Sequence, residues 1–402
     1  MIILGIETSC DETAAAVIEG QNNSPLPPLN KGGIIRVLSN VVASQIDIHK
    51  KYGGVVPEVA AREHVLNILP VVNEALGKAR KDAGWNAERR GENTEPHPSP
   101  LLSKERVKSS LSPLIRGAKG GIDAIAVTVG PGLITSLIVG VETARSLAYA
   151  WGVPVVAVNH IEGHIYANWI GGNNPPLSPF VKGGTTEFPA LILTVSGGHN
   201  ILVLMKGHGK YKIIGETLDD AAGEAFDKAA QMLGLGYPGG PVISAEAAKI
   251  KFPPAPFLQK GQVALPRPMI NSKDYNFSFS GLKTALLYTL KKDSSWGKRI
   301  PEYAHDFQQA VIDVLIHKTI KAARNFKVKT VMLTGGVSAN KELRKQMEKK
   351  IKILIPNSRF LIPEMEYTTD NAAMIAAAGY FRARENKFTP WQKLKVDPNL
   401  EL

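Results

Sequence analysis

The chain has 402 residues, 44% hydrophobic and 21% charged, and its 48 Lys+Arg against 36 Asp+Glu leave a net charge of +12. That apolar fraction excludes a wholly disordered chain, and the length predicts two or three domains, each with its own core. A lone cysteine, Cys10, excludes an intrachain disulfide and a cysteine-built metal site, while the positive balance favours a polyanionic partner, nucleic acid first.

The opening MIILGIETSCDE has no basic n-region and loses its apolar run at Glu7, so it reads as a first strand and not as a signal peptide. Residues 2–6 form a β-rich run, a Thr/Ser turn carrying Asp11 and Glu12 follows, and 14–18 is a second run. In 49–65, His49, Glu58, Arg62, Glu63 and His64 crowd around a Gly-Gly turn, dense for a purely structural segment. Residues 124–129, Gly130-Pro131-Gly132 and 133–151 read as strand, turn and helix, with Leu133, Leu137, Val141 and Ala144 on one helix face. That turn breaks the longest uncharged stretch, so no membrane span is expected and a cytoplasmic protein is.

His160 and His164, in NHIEGHIYA, share a helix face one turn apart. The spacing suits one metal ion, and equally two unrelated histidines at a helix end. Ile161 stands where a zinc protease needs glutamate, and Glu162 points off the ligand face. Residues 190–195, Ser196-Gly197-Gly198 and 201–205 then repeat the strand–turn–strand pattern. TVSGG (194–198) and TGGVSAN (334–340) each follow a β run; their small residues admit an anion to backbone N–H groups, though plain strand turns explain them too. Between them, 215–235 is expected as an acidic helix with Asp220, Glu224 and Asp227 on one stripe, lining a ligand or solvated. A glycine-rich turn containing Gly240 follows it.

Residues 317–352 carry 11 Lys/Arg against 2 Asp/Glu, a solvated face or a phosphate-binding one. Residues 329–333, Gly335-Gly336 and a helix from Lys341 repeat the strand–helix unit, with Asn340 placed to cap the helix. Asp370, in TTDNAAMIAAAG, opens a helix of small residues, as its N-cap, as a third metal ligand or as both.

SPLPPLNKGG (24–33), SPLIRGAKGG (112–121), PPLSPFVKGG (175–184) and the degraded PPAPFLQKG (253–261) are unevenly spaced, so they are not solenoid units. They read as surface-loop inserts near 21–35, 84–121, 172–186 and 252–262. Without them the chain predicts an α/β fold of two lobes facing a cleft, with ligands at strand ends. The lobes are expected at 1–158, completed by a C-terminal helix over 370–388, and at 159–369.

Taken in order, GIETSCDETAAAV, GGVVPEVAAREH, VGPGLITSLIVG, NHIEGH, VSGGHN, DDAAGEAFDKAA, FSFSGLKTA, GGVSAN and TTDNAAMIA resemble the TsaD family over nearly the whole chain. The resemblance implies an actin/Hsp70/sugar-kinase-like fold with loop insertions. It implies transfer of threonylcarbamoyl from threonylcarbamoyl-AMP to the adenosine 3′ of the anticodon in tRNAs reading codons that begin with A. It places metal ligands on His160, His164 and Asp370, for one divalent ion, Fe(2+) or else Zn(2+). Substrate contacts fall on Thr194, Val195, Ser196, Gly197 and Gly198, and on Asp227, Gly240 and Asn340. Implied partners are tRNA, a TsaB-like paralogue, a TsaE-like ATPase and a TsaC-like adenylate-forming enzyme. An exocyclic amine is a poor nucleophile, so a base is expected to take its proton, Asp11 first and Glu12 second. The alternatives are a nucleotide-binding chaperone-like switch and a metallopeptidase.

Overall fold

Residues 1–20, 35–82, 121–171, 186–250 and 263–402 are described by a computed structural model. The repeat inserts and nearly all of the 84–121 segment lie outside the described residues. The chain divides into two units: Met1–Gln45, Val56–Leu177 and Asp370–Glu401 form the first, and Ile46–Val55 with Ser178–Thr369 and Leu402 the second.

In the first unit, β1 (Ile2–Glu7), β2 (Glu12–Gly20), β3 (Ile35–Ser44), β4 (Ala124–Gly130) and β5 (Val155–Asn159) form one sheet in the order β3-β2-β1-β4-β5. The first three strands run antiparallel, and β4 and β5 run parallel to β1. Ile3, Leu4, Ile6 and residues 14–18 are all buried, because the sheet is covered on both faces and needs apolar side chains on each. Leu4, Ile6, Ala15 and Val17 pack against Val72 and Leu76 of α2 (Pro57–Asp82) and Val141 and Ala144 of α3 (Ile134–Trp151). The short α1 (Ile46–His49) falls in the second unit. Gly152 stops α3 in a left-handed cap, its N–H donating to the Ala148 carbonyl.

The composition of the C-terminal helix α10 explains the other face. The small residues of its Ala372–Arg384 run let it lie against the strand backbones, where a Cβ at Gly5 would come 2.3 Å from the Ala372 carbonyl oxygen. Even alanine there would push the helix off the sheet, at about 1–3 kcal/mol. The histidine-bearing helix α4 (His160–Tyr166) packs on α10, Gly163 lying against Ile375. That packing keeps 159–171 with the first unit, past the boundary at 158 read from the sequence.

The second unit repeats the plan. Strands β6 (Ala190–Val195), β7 (Asn200–Gly207), β8 (Lys210–Glu216), β9 (Thr330–Thr334) and β10 (Arg359–Leu361) lie in the order β10-β9-β6-β7-β8, with β9 parallel to β6 and β10 parallel to β9. Its helices are α5 (Ala222–Met232), α6 (Gly239–Ala247), α7 (Ser280–Lys292), α8 (Ile300–Asn325) and α9 (Lys341–Leu354). Leu191, Leu193, Phe226, Phe307 and Leu315 belong to one core there. The expected α/β class, built from two sheets, is present. The acidic helix is shorter than expected: 210–216 is β8, and the helix starts at 222. Among the described residues no helix is long and apolar enough to cross a membrane.

Candidate functional site

Asn159 closes β5 and caps α4, its Oδ1 accepting from the Ile161 and Glu162 N–H groups at 2.8 and 3.2 Å. The cap sets His160 and His164 on adjacent turns, ring centroids 4.7 Å apart. Asp370 does not cap α10. Asn371 does, accepting from the Met374 N–H at 3.0 Å. The Asp370 carboxylate turns instead to the imidazoles, Oδ1 lying 3.4 Å from His160 Nε2 and 3.1 Å from His164 Nε2.

One ligand atom from each residue falls within 4.8 Å of the others. Two atoms each about 2.1 Å from a shared ion, at tetrahedral or octahedral angles, are about 3.0–3.4 Å apart. The two imidazole–carboxylate distances have that spacing, and the donor set of two imidazoles and a carboxylate suits iron or zinc. Glu162 pairs with Arg382 at 2.8 Å, off the ligand face as read from the sequence.

Behind the triad sits a residue the sequence reading did not single out. Glu7 Oε2 lies 3.0 Å from His160 Nδ1, which also meets Ser9 Oγ at 3.0 Å. Glu7 further accepts from the Thr128 hydroxyl at 2.7 Å and from the Ser9 N–H at 2.5 Å. A carboxylate on Nδ1 fixes the proton there and turns the Nε2 lone pair toward Asp370, the tautomer a metal ligand needs. Burial raises the Glu7 carboxyl, but neighbouring His160 outweighs it and holds the group below the carboxylate range. Burial likewise raises Asp370, and the two imidazoles pull it down further than that. Burial lowers His160, and Asp370 and Glu7 together lift it well above the usual histidine range. Deprotonated to bind a cation, the imidazoles would leave the buried Glu7 and the half-buried Asp370 as two negative charges, which a divalent cation would balance.

Asp11 and Glu12 share the β1–β2 connection with Ser9. Asp11 is buried, and its carbonyl accepts from the Gln45 N–H at 3.1 Å. Glu12 is half-buried and meets the Ser44 hydroxyl at 3.4 Å. Burial, then the adjacent Asp11 charge, pushes the Glu12 carboxyl well above the carboxylate range. His64 braces this turn from α2: its Nε2 lies 3.0 Å from the Cys10 carbonyl and its Nδ1 2.8 Å from the Thr13 hydroxyl. A carbonyl only accepts, so Nε2 carries the proton and Thr13 donates to Nδ1. Of the other charged residues in that segment, Glu58 and Arg62 line a separate hollow with Val65 and Leu66, and His49 falls in the second unit.

In the second unit, 194–198 ends β6 with Thr194 and Val195 buried and Gly197 and Gly198 exposed. Ser196 commits its N–H to the His199 carbonyl at 2.8 Å. The start of α5 presses on this turn, since a Cβ at Gly223 would come 2.7 Å from Gly197 Cα. Asp227, one turn along α5, accepts from the Gly239 N–H at 2.6 Å, beside Gly240. Gly335, at φ +86°, passes close to the Val195 carbonyl. Thr194 and Thr334 are register partners, so 194–198 and 334–340 both open at the carboxyl ends of parallel strands, where α/β sheets bind ligands.

The predicted carboxylate stripe does not form. Asp220 precedes the helix, and Lys228 pairs with Asp220 at 2.8 Å and with Glu224 at 2.6 Å, leaving Asp227 on the glycine turn. Asn340 caps α9, accepting from the Leu343 N–H at 3.0 Å and donating to Gln308 at 2.8 Å.

Comparison with known proteins bears on the family of the chain. The family model described as TsaD: tRNA N6-adenosine threonylcarbamoyltransferase matches residues 36–84 and 116–377. Curated proteins named tRNA N6-adenosine threonylcarbamoyltransferase are similar to the chain along nearly its whole length. One from Dehalococcoides mccartyi is 46% identical over 384 residues, covering 95% of this chain and 94% of that protein. One from Thermosipho melanesiensis is 44% identical over 407 residues and covers 100% of both, and one from Bacillus subtilis strain 168 is 43% identical over 404 residues, covering 100% and 96%. Among solved structures, the crystal structure of T. kodakarensis HypF superposes with a TM-score of 0.53 at 14% identity, covering 98% of this chain and 49% of that one; that likeness is one of fold.

Proposed function

The chain belongs to the TsaD family and is a transferase of tRNA threonylcarbamoylation, and we propose that it carries the threonylcarbamoyl group from threonylcarbamoyl-AMP to the exocyclic amine of the adenosine 3′ of the anticodon, in tRNAs reading codons that begin with A. The bond formed joins the amine nitrogen to the carbamoyl carbon; the bond broken is the carbamoyl–phosphate anhydride, and AMP leaves with its electron pair.

The observation that carries this reading is the His160–His164–Asp370 cluster with Glu7 behind it. His160, His164 and Asp370 would hold one divalent cation, Fe(2+) first and Zn(2+) second. When bound, that cation supplies Lewis-acid polarisation of an acyl oxygen. Glu7 and Ser9 keep His160 oriented. Asp11, or Glu12 beside it, takes the proton from the amine as the new bond forms. Ser196 has its own N–H engaged, so the Gly197 and Gly198 amides hold phosphate oxygens of the adenylate, and Asp227 takes a ribose hydroxyl.

A TsaC-like enzyme supplies the adenylate in this reading, with a TsaE-like ATPase and a TsaB-like paralogue as further partners. What supports a protein partner is the apolar surface of α2 and α3, where Val65, Leu66, Leu69, Ile134 and Ile138 are exposed. A tRNA substrate places the work in the cytoplasm.

The test is reconstitution with those partners, ATP, threonine, bicarbonate and tRNA, read by nucleoside mass spectrometry. Threonylcarbamoyladenosine is the expected product; none at all would leave the chaperone-like switch. Metal-dependent proteolysis by the purified chain would instead point to the peptidase.

A further inference from the structure

The cationic stretch 317–352 is not one surface. Lys318 is fully buried, its Nζ bonded to Ser272 Oγ and paired with Asp274 at 3.3 Å. Arg344 donates to the Ser338 and Pro363 carbonyls. These two cations hold loops. The Lys352 ammonium is matched by Glu348 at 2.7 Å. Of the other eight cations, Lys321, Arg324 and Lys350 line a groove of about 710 Å³ between α8 and α9, together with Ile316, Ile320 and Leu354.

The walls of this groove are tied at two places. Gln309 and Gln346 exchange amide hydrogen bonds at 3.0 and 2.8 Å, and Arg324 donates to the Leu354 carbonyl at 3.1 Å. Lys321 donates to the Ser272 and Lys273 carbonyls at 2.7 and 3.0 Å. A carbonyl accepts a hydrogen bond without cancelling a net charge. Among the described residues, Lys321, Arg324 and Lys350 form no ion pair with a carboxylate. Asp313 is the one acid among the described residues that lines the groove, and Arg267 engages it at 3.0 Å. The groove therefore holds, among the described residues, three cations without a carboxylate partner, Lys321 and Arg324 also tying backbone carbonyls and Lys350 exposed.

Neutralising the carboxyl ends of two helices is an ordinary use for such cations. Three of them in one groove, with the exposed Lys327 and Lys329 following α8 in the chain, exceed that need. We infer that this groove binds the phosphate backbone of the tRNA substrate, away from the nucleoside that reacts. The inference rests on the transferase reading, which provides a polyphosphate of matching charge. Lys327 and Lys329 lead into β9 at its amino end, whereas the 334–340 turn opens at its carboxyl end, about 15 Å along the strand. Such a contact anchors tRNA without touching the reaction, so its loss falls in Kd and KM for tRNA and not in kcat.

The experiment measures binding of an unmodified tRNA transcript between about 50 and 200 mM salt, for wild type, Lys350→Glu and the double variant K321E/K350E. Lys350→Glu keeps the test sound if the loop held by Lys321 fails to fold, and Lys212→Glu, on exposed β8, controls for net charge. Expected is a loss on the order of ten-fold for the double variant, with the slope of log K against log salt falling by about one per contact removed. Unchanged affinity and slope in both groove variants overturn the inference. So does a defect seen only when a protein partner is present, which would make the groove a seat for an acidic protein surface. If wild type binds tRNA but forms no product when reconstituted, the transferase reading fails and the groove result stands separately.

Discussion

The two sheets follow one strand plan and finish in opposite chemistry. The first ends in side chains: Glu7 at the end of β1, then Ser9 and Asp11, with His160 directly after β5. The second ends in backbone: Gly197 and Gly198 after β6, Gly335 and Gly336 after β9. Imidazoles and carboxylates fixed by neighbours suit a cation, and exposed amides suit an anion. A site made of side chains fails when one functional group changes. A site made of amides ignores side-chain loss and fails when a new Cβ displaces the chain.

The largest effect expected is from Asp370→Ala. It removes a ligand and takes away the second carboxylate beside His160, so metal content and product formation both drop by more than roughly a hundred-fold, beyond what loss of an outer contact does. Elemental analysis beside single-turnover rates checks this, and a variant that keeps its metal would show that the triad is not the site. Next is Glu7→Gln, which keeps the shape and removes the charge that orients His160. Metal affinity should fall by roughly 10–100-fold in chelator competition, with the fold intact by circular dichroism.

The backbone site is broken differently. Gly223→Ala places a Cβ 2.7 Å from Gly197 Cα and from the Ser196 carbonyl oxygen, and neither backbone atom gives way cheaply. A cost of about 1–3 kcal/mol in thermal unfolding and weaker AMP binding are expected. Gly197→Ala is the matched control, because nothing lies within 4 Å of its Cβ position, and its melting temperature should barely move. Equal damage from both would mean that the turn does not depend on the α5 contact.

How far the sequence reaches follows from the range of the interactions. Alternating strand–turn–strand and strand–helix signals are local, so the α/β class, the α3 face and the histidine spacing are legible. The role of Glu7 is not, since the β1–β4–β5 register brings Thr128 and His160 to it across more than a hundred residues. β3 begins next to an insert and carries no turn signal of its own. The acidic helix starts later than its periodicity predicts, because the periodicity continues into 217–221, where the Thr217 N–H is bonded to the Asn200 carbonyl instead. Asp370 and Asn371 are both good caps, and only packing shows that Asn371 takes the task and leaves Asp370 for the imidazoles. Summed charge over 317–352 is blind to burial, which separates Lys318 from Lys350.

The smallest effect tests the acid pair beside the cation site. The Glu12 carboxyl lies well above its ordinary value near 4.5, through burial and then through Asp11. A carboxyl raised on folding stabilises the fold while protonated, and that contribution is lost as pH climbs through the raised value. Glu12→Gln keeps a neutral group at every pH. Its melting temperature should therefore match wild type near pH 4 and exceed it by a few degrees at neutral pH, the gap opening as wild-type Glu12 ionises. Activity should move the other way if Glu12 shares the proton-accepting role, since the amide cannot take a proton. Asp11→Asn removes the like charge, so the acid limb of the rate profile should shift to lower pH while Glu12 remains. A melting difference that stays flat with pH would remove Glu12 from the pair and leave Asp11 as the single candidate base.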